Sequence, residues 1–154
     1  IIGSGGAARG LYYALAQAGQ KVIDLANRTK MKAEEIAASG KDKINTAIYS
    51  IYEAEGVIDS YELIIQTTSV GMKPNEEQAP LAISKLKEAA VVSDIIYQPI
   101  KTSLLQQAEQ ANGSIHYGHT MLLYQAQFAF EIWTGKQVDV SGMDTQLQKI
   151  LEGR

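Results

Sequence analysis

A doubly wound α/β fold, with a parallel sheet between two layers of helices, is predicted by three observations on this chain of 154 residues. Short apolar runs alternate with helical patterns: KVIDLA precedes MKAEEIAAS, YELIIQ precedes LAISKLKEA, and VVSDIIY precedes SLLQQAEQAN. Strands separated by helices of about ten residues mark βαβ units around a parallel sheet. VVSDII is almost continuously apolar, as a strand covered on both faces must be. The chain also opens on a glycine cluster, IIGSGGAARG, of the kind that carries a strand into a helix. The strand order expected of this class is 3-2-1-4-5-6.

The elements follow in order. Ile1 and Ile2 read as the end of a first strand, and Gly3, Gly5 and Ala8 fill G-x-G-x-x-G/A, with Gly6 and Gly10 adding slack. In this pattern the first glycine permits the turn and the second lets a pyrophosphate approach the backbone, while the small third residue lets helix and strand pack closely. Ala8, Leu11, Leu15 and Ala18 then recur at helical spacing until Gly19. KVIDLA is the second strand, Thr29 a good N-cap for the helix after it, and INTAIYSI a weaker third strand. YELIIQ and VVSDIIY are the fourth and fifth strands, with a helix over LAISKLKEA between them and another over SLLQQAEQAN beyond. From Met121 to Trp133 the residues Met121, Leu122, Phe128, Ala129, Ile132 and Trp133 fit one helical face, stopped by Gly135. Phe128 and Trp133 are expected in the core, and a last short helix spans Asp144 to Leu151. The expected organisation is one unit over 1–154, a sheet core over about 1–117 followed by C-terminal helices over about 119–154.

Composition removes several classes of function. No apolar run approaches a membrane span, and the absence of cysteine removes disulfides, thiolate metal sites and a cysteine nucleophile. With two histidines no metal cluster is expected, and a net charge of −3 lacks the basic stripe of a nucleic-acid binder. Nothing resembles a signal or transit peptide, so the default expectation is a cytoplasmic location.

The glycine turn points to a bound phosphate at a helix N-terminus. The alternative is a flexible surface turn, but a strand on each side and a helix after it favour the phosphate. In the dinucleotide fingerprint an acidic residue about twenty positions after the third glycine holds the ribose 2′-hydroxyl, and here that count lands on Arg28. Asp24 comes too early, inside the apolar strand. The strand edge instead carries Asn27, Arg28 and Thr29, with Lys30 and Lys32 opening the next helix. An arginine fork matches a phosphate, which implies a 2′-phosphate and therefore NADP; a solvated basic corner is the alternative.

The stretches GSGGAARG, NRTKMKAEEIA, LIIQTTSVGM, VVSDIIYQPIKTSLLQQAEQANG and MLLYQAQFAFEIWTG, which span Ile1 to Gly135, resemble the NADP-binding half of the shikimate dehydrogenase family. The resemblance implies a Rossmann-type domain of a two-domain enzyme that interconverts shikimate and 3-dehydroshikimate with NADP. It also implies that a substrate domain precedes the glycine turn and carries the lysine and aspartate that transfer protons, so no catalytic residue is expected here. On that resemblance Gly3, Ser4, Gly5, Gly6 and Ala7 form the diphosphate turn. Asn27, Arg28, Thr29 and Lys32 would hold the 2′-phosphate, and Thr67, Thr68, Ser69 and Val70 would line the adenosine and nicotinamide side. Gly118 and Met121 would stand near the nicotinamide, and Tyr97 and Gln125 would touch the substrate. By itself the chain is expected to bind cofactor and turn over very little. The rival readings are a relative that oxidises quinate or uses NAD, and a module that binds NADPH without catalysis.

Three positions depart from the family pattern: Lys32 stands where arginine is frequent, Gln66 where asparagine is frequent, and Thr120 where a second glycine usually precedes the methionine. Tyr97, at a strand end, is expected to orient substrate by hydrogen bond, the alternative being a core filler. Gln125, on an apolar helix face, either serves the substrate or is satisfied by neighbouring backbone. His116 and His119 are expected in loops, and Asp94 to cap or pair locally. Ser69 has neither a histidine nor a nucleophile elbow beside it, which leaves acyl transfer unsupported.

Overall fold

The computed structural model describes residues 1–40 and 43–153. Its elements are α1 (Gly6–Gln17), β1 (Leu25–Ala26), α2 (Lys30–Ala38), β2 (Ile48–Tyr49), α3 (Ile51–Glu55), a 3-10 turn (Ile58–Ser60), β3 (Leu63–Gln66), β4 (Val91–Asp94), α4 (Ser103–Gln110), β5 (Ser114–His116), α5 (Gly118–Thr134) and α6 (Met143–Leu151). Every strand pairing is parallel. Ile2 bridges Ala26 on one side and Gln66 on the other, joining β2-β1 to β3-β4-β5. With Ile2 as the first strand, the order along the sheet is the expected 3-2-1-4-5-6 of a Rossmann-type fold. The sequence crosses the sheet in opposite directions from Ile2, which makes the gap between β1 and β3 the topological switch point, the place where open α/β sheets take ligands.

Successive strand residues face opposite sides, and two apolar layers result. Ile23 and Leu25 pack with Ala8 and Tyr12 of α1 and with Ala33 and Ile36 of α2. Ile2, Ile64 and Val92 pack instead with Ile58, with Leu81, Ile83 and Leu86, and with Leu104, Leu105 and Ala108. Ala8, the small third residue of the glycine pattern, is fully buried, as close helix packing requires.

Three expectations are corrected. LAISKLKEA is not a helix but an irregular segment. Leu81, Ile83 and Leu86 are buried at spacings that serve an extended chain, and Ala89 has a positive φ of 59°. Side chains replace the helix hydrogen bonds, since Ala82 N donates to Glu55 Oε1 at 2.8 Å and Ile83 N to Gln107 Oε1 at 2.9 Å. His116 and His119 are in β5 and α5 and not in loops; β5 is too short to show a period, and only its pairing with β4 reveals it. Phe128 and Trp133 are exposed, Trp133 at 83%, and Ile132 beside them at 80%. The outer part of α5 therefore presents its apolar face to solvent, because α5 packs mainly on α6. Among the described residues no helix is long and apolar enough to cross a membrane.

Candidate functional site

Every candidate residue sits beyond the C-terminal end of a strand or on the helix after it. Gly3 follows Ile2, with its N–H on Ala26 O at 2.8 Å. Its φ is +114°, and a Cβ there would stand 2.4 Å from Thr67 Oγ1, so the fold itself demands glycine. Gly5 and Gly6 are different, because a Cβ on either would meet nothing within 4 Å. The chain's own packing does not explain these two glycines. Gly5 is the N-cap of α1 and offers no side-chain hydrogen bond, so the first-turn amides, flanked by Ser4 and Ala7, are left available to an anion.

Beyond β1, Asn27 Nδ2 donates to Thr29 O at 2.8 Å and shapes the corner that carries Arg28. Thr29 is the N-cap of α2 as expected, but its side chain makes no cap hydrogen bond. Arg28 and Lys32 are exposed. Asp24 is engaged inside the sheet, where its carboxylate accepts from Ala47 N at 2.7 Å and from the Tyr61 hydroxyl at 2.6 Å. Burial first, and the Asp24 carboxylate second, push the Tyr61 phenol well above its ordinary range.

The loop after β3 is organised by a side chain whose importance the sequence does not announce. Gln66 is fully buried; its Oε1 accepts from Thr68 N, and its Nε2 donates to Thr68 O at 3.2 Å and Val70 O at 3.1 Å. Thr67 adds a bond from Oγ1 to Ile2 O at 2.7 Å. In the sequence it stands out only as a lone amide at the end of an apolar strand, where the resembling family frequently has asparagine.

Two clefts flank this loop. Asn27, Arg28, Thr68, Ser69 and Val70 line one of about 530 Å³, together with Ile51, Ala79 and Pro80. The other, also about 530 Å³, has Thr67, Thr68, Ser69, Tyr97 and Met121 in its walls, with Met72, Lys73 and Gln98 in addition. Tyr97 follows a backbone bend at which Asp94 Oδ1 accepts from Ile96 N at 2.9 Å and Asp94 Oδ2 accepts from the Thr102 hydroxyl at 2.7 Å. Asp94 thus caps locally, and burial raises its carboxyl above the usual range against those two hydrogen bonds.

Other candidates fall elsewhere. Gln125 is exposed, one turn beyond Met121 on α5, and outside the walls of the second cleft; it is not the buried amide expected. Gly118 is buried, and a Cβ on it would lie 2.4 Å from Ile96 O and 2.5 Å from Ile95 O. The start of α5 is therefore wedged against the backbone beyond β4. Among the described residues no group of three or more histidine, aspartate or glutamate side chains could hold a metal.

Comparisons with known proteins identify the family and the fold. The family model described as "Shikimate / quinate 5-dehydrogenase" matches residues 1–95, and the "Shikimate 5'-dehydrogenase C-terminal domain" model matches residues 118–148. A shikimate dehydrogenase (NADP(+)) of Oceanobacillus iheyensis is 49% identical over the whole chain, which covers 54% of that protein. Shikimate 5-dehydrogenase of Listeria monocytogenes, solved with shikimate and NAD, superposes with a TM-score of 0.82 at 30% identity over 97% of this chain and 54% of its own. The Thermus thermophilus enzyme, solved with NADP(H) and shikimate, gives a TM-score of 0.82 at 27% identity over 97% of this chain and 53% of its own. The chain thus spans about half the length of the curated relatives it matches. From the glycine turn to α6, the chain belongs to the shikimate/quinate 5-dehydrogenase family.

Proposed function

We propose that this chain is the nucleotide-binding half of an NADP-dependent shikimate dehydrogenase. The observation that carries the reading is the pair Gly5 and Gly6, small for no reason internal to the fold, in the turn that follows Ile2, with Arg28 lining a cleft beyond the neighbouring strand. The first-turn amides of α1 would hold the diphosphate, with Gly3 and Ser4 shaping the approach and Ala7 leaving room. Asn27, Arg28, Thr29 and Lys32 would hold the 2′-phosphate beside the outer cleft. Thr67, Thr68, Ser69 and Val70 would separate the adenosine from the nicotinamide, and Met121, with Gly118 beneath it, would border the nicotinamide in the inner cleft. Tyr97 and Gln125 would meet the substrate, Tyr97 as a hydrogen-bonding orienter.

When bound, NADPH supplies the hydride that turns the carbonyl of 3-dehydroshikimate into the alcohol of shikimate. The residues of this chain bind and orient; the proton-transferring lysine and aspartate implied by the family resemblance belong to the part of the relatives that this chain does not match. We place the contact with that part on the exposed apolar face of α5.

Titration with NADPH and NADH tests the reading. Arg28→Ala should lower NADPH affinity about 10- to 100-fold, the loss of a charge-assisted bond of about 1.5–3 kcal/mol, and leave NADH binding unchanged. An equal effect on both nucleotides, or none, would reject Arg28 as the phosphate reader. The Listeria relative was solved with NAD, which favours a second reading, an NAD-using shikimate or quinate dehydrogenase. Tighter binding of NADH than of NADPH would select it.

A further inference from the structure

The first turn of α5 is held residue by residue. Gly118 abuts the backbone at Ile95 and Ile96. His119 is 1% exposed, with Nε2 3.0 Å from Asp144 Oδ1 of α6, a polar contact that lacks hydrogen-bond alignment. Thr120 is tied through a chain of hydroxyl and imidazole groups. Its Oγ1 donates to Tyr117 O at 2.7 Å and lies 2.9 Å from His116 Nε2, while Ser93 Oγ of β4 lies 2.9 Å from His116 Nδ1. The next residue, Met121, is part of the inner cleft wall.

Counting protons gives the chain a direction. The single proton of the Thr120 hydroxyl goes to Tyr117 O, so toward His116 the oxygen accepts and Nε2 carries the hydrogen. A neutral ring then presents the lone pair of Nδ1, which accepts from the Ser93 hydroxyl. Each of the three contacts uses one donor and one acceptor, and none is left over.

We propose that Thr120 is a positioning residue, which through His116 and Ser93 fixes the first helical turn of α5 and with it the place of Met121 in the inner cleft. Thr120 stands where the resembling family usually has glycine, and a glycine could not make this link. The hydroxyl is turned back toward Tyr117 O and His116 instead of into the cleft. The proposal rests on the NADP reading for its ligand and on the hydrogen-bond chain for its geometry.

The test uses the full-length protein with Thr120→Val, which keeps the shape and removes the hydroxyl, and Thr120→Ser, which restores it. Two probes are titrated: NADPH, and adenosine 2′,5′-bisphosphate, which has no nicotinamide. Thr120→Val should weaken NADPH about 3- to 10-fold, the size expected of one lost hydrogen bond, and leave the bisphosphate unchanged, with recovery in Thr120→Ser. Nitrogen-15 spectra, with His116 assigned through His116→Gln, should show the Nε2–H tautomer in the wild type and in Thr120→Ser, and lose that preference in Thr120→Val. Equal weakening of both probes, no weakening of NADPH, or an Nδ1–H tautomer in the wild type would overturn the proposal. Failure of the wild type to bind either probe would sink the NADP reading instead, and the tautomer would still decide the positioning role.

Discussion

Gly6 and Gly118 are glycines for opposite reasons, and substitution separates them. A Cβ at Gly118 would collide with main-chain atoms at 2.4–2.5 Å, and rigid backbone cannot yield as a flexible side chain can. Gly118→Ala should therefore cost about 1–3 kcal/mol, the range for overpacking, read as a lower urea midpoint. At Gly6 the Cβ has open space and the residue begins a helix, so Gly6→Ala should raise stability by about 0.4–1 kcal/mol by restricting the unfolded chain. The same change should weaken NADPH binding; unaltered affinity would mean that no ligand approaches the backbone there. Motif spacing singled out Gly3 and Arg28 as candidates because the pattern itself is local, although Thr67, which a Cβ on Gly3 would meet, is not. The packing role of Gly118 was hidden, since what it touches lies more than twenty residues earlier.

Elements with strong apolar periods, such as α1, α4 and β4, were readable, whereas α3, which has no period to read, and the segment LAISKLKEA, expected as a helix, depend on side chains doing the work of backbone. The five-residue α3 is too short to have a period and exists through its cap. The Ser50 hydroxyl accepts from Glu53 N at 3.2 Å, and the Glu53 carboxylate accepts from Ser50 N at 2.6 Å. Lys30, the first residue of α2, completes the corner with Nζ 2.5 Å from Glu53. Its hydrogen bond, followed by that from the Ser50 amide, holds the Glu53 carboxyl down from 4.5 to about 2. A carboxyl lowered in the folded state stabilises the fold above its unfolded value and loses that contribution as pH falls toward the folded one. Glu53→Gln should accordingly flatten the fall in melting temperature between pH 4.5 and about 2; a variant with the wild-type acid slope would show that the carboxylate is indifferent. The missing helix at LAISKLKEA has the same origin. Glu55 and Gln107, from separate parts of the chain, bind its amides, and no local pattern announces such partners.

At the scale of the whole molecule, the strand order followed from βα alternation and from the glycine turn, both of which are long-period features of the sequence. Burial along α5 did not follow, because an apolar stripe is equally suited to an inner core and to a contact outside the described residues. Trp133 is the only tryptophan and is 83% exposed, which makes it a reporter for that contact. Its emission should be that of a solvated indole in the 154-residue chain and should shift to the blue in the full-length protein. An unshifted spectrum would leave the face in water and refute our placement of the contact on α5. The loop after β3 has a wider consequence. Thr68 and Ser69 border both clefts, and the Gln66 carboxamide fastens the bend at both ends. The two chambers therefore share a party wall in which this carboxamide is one tie-rod beside the Thr67 and Thr68 hydroxyls, and shortening that rod would disturb both rooms at once.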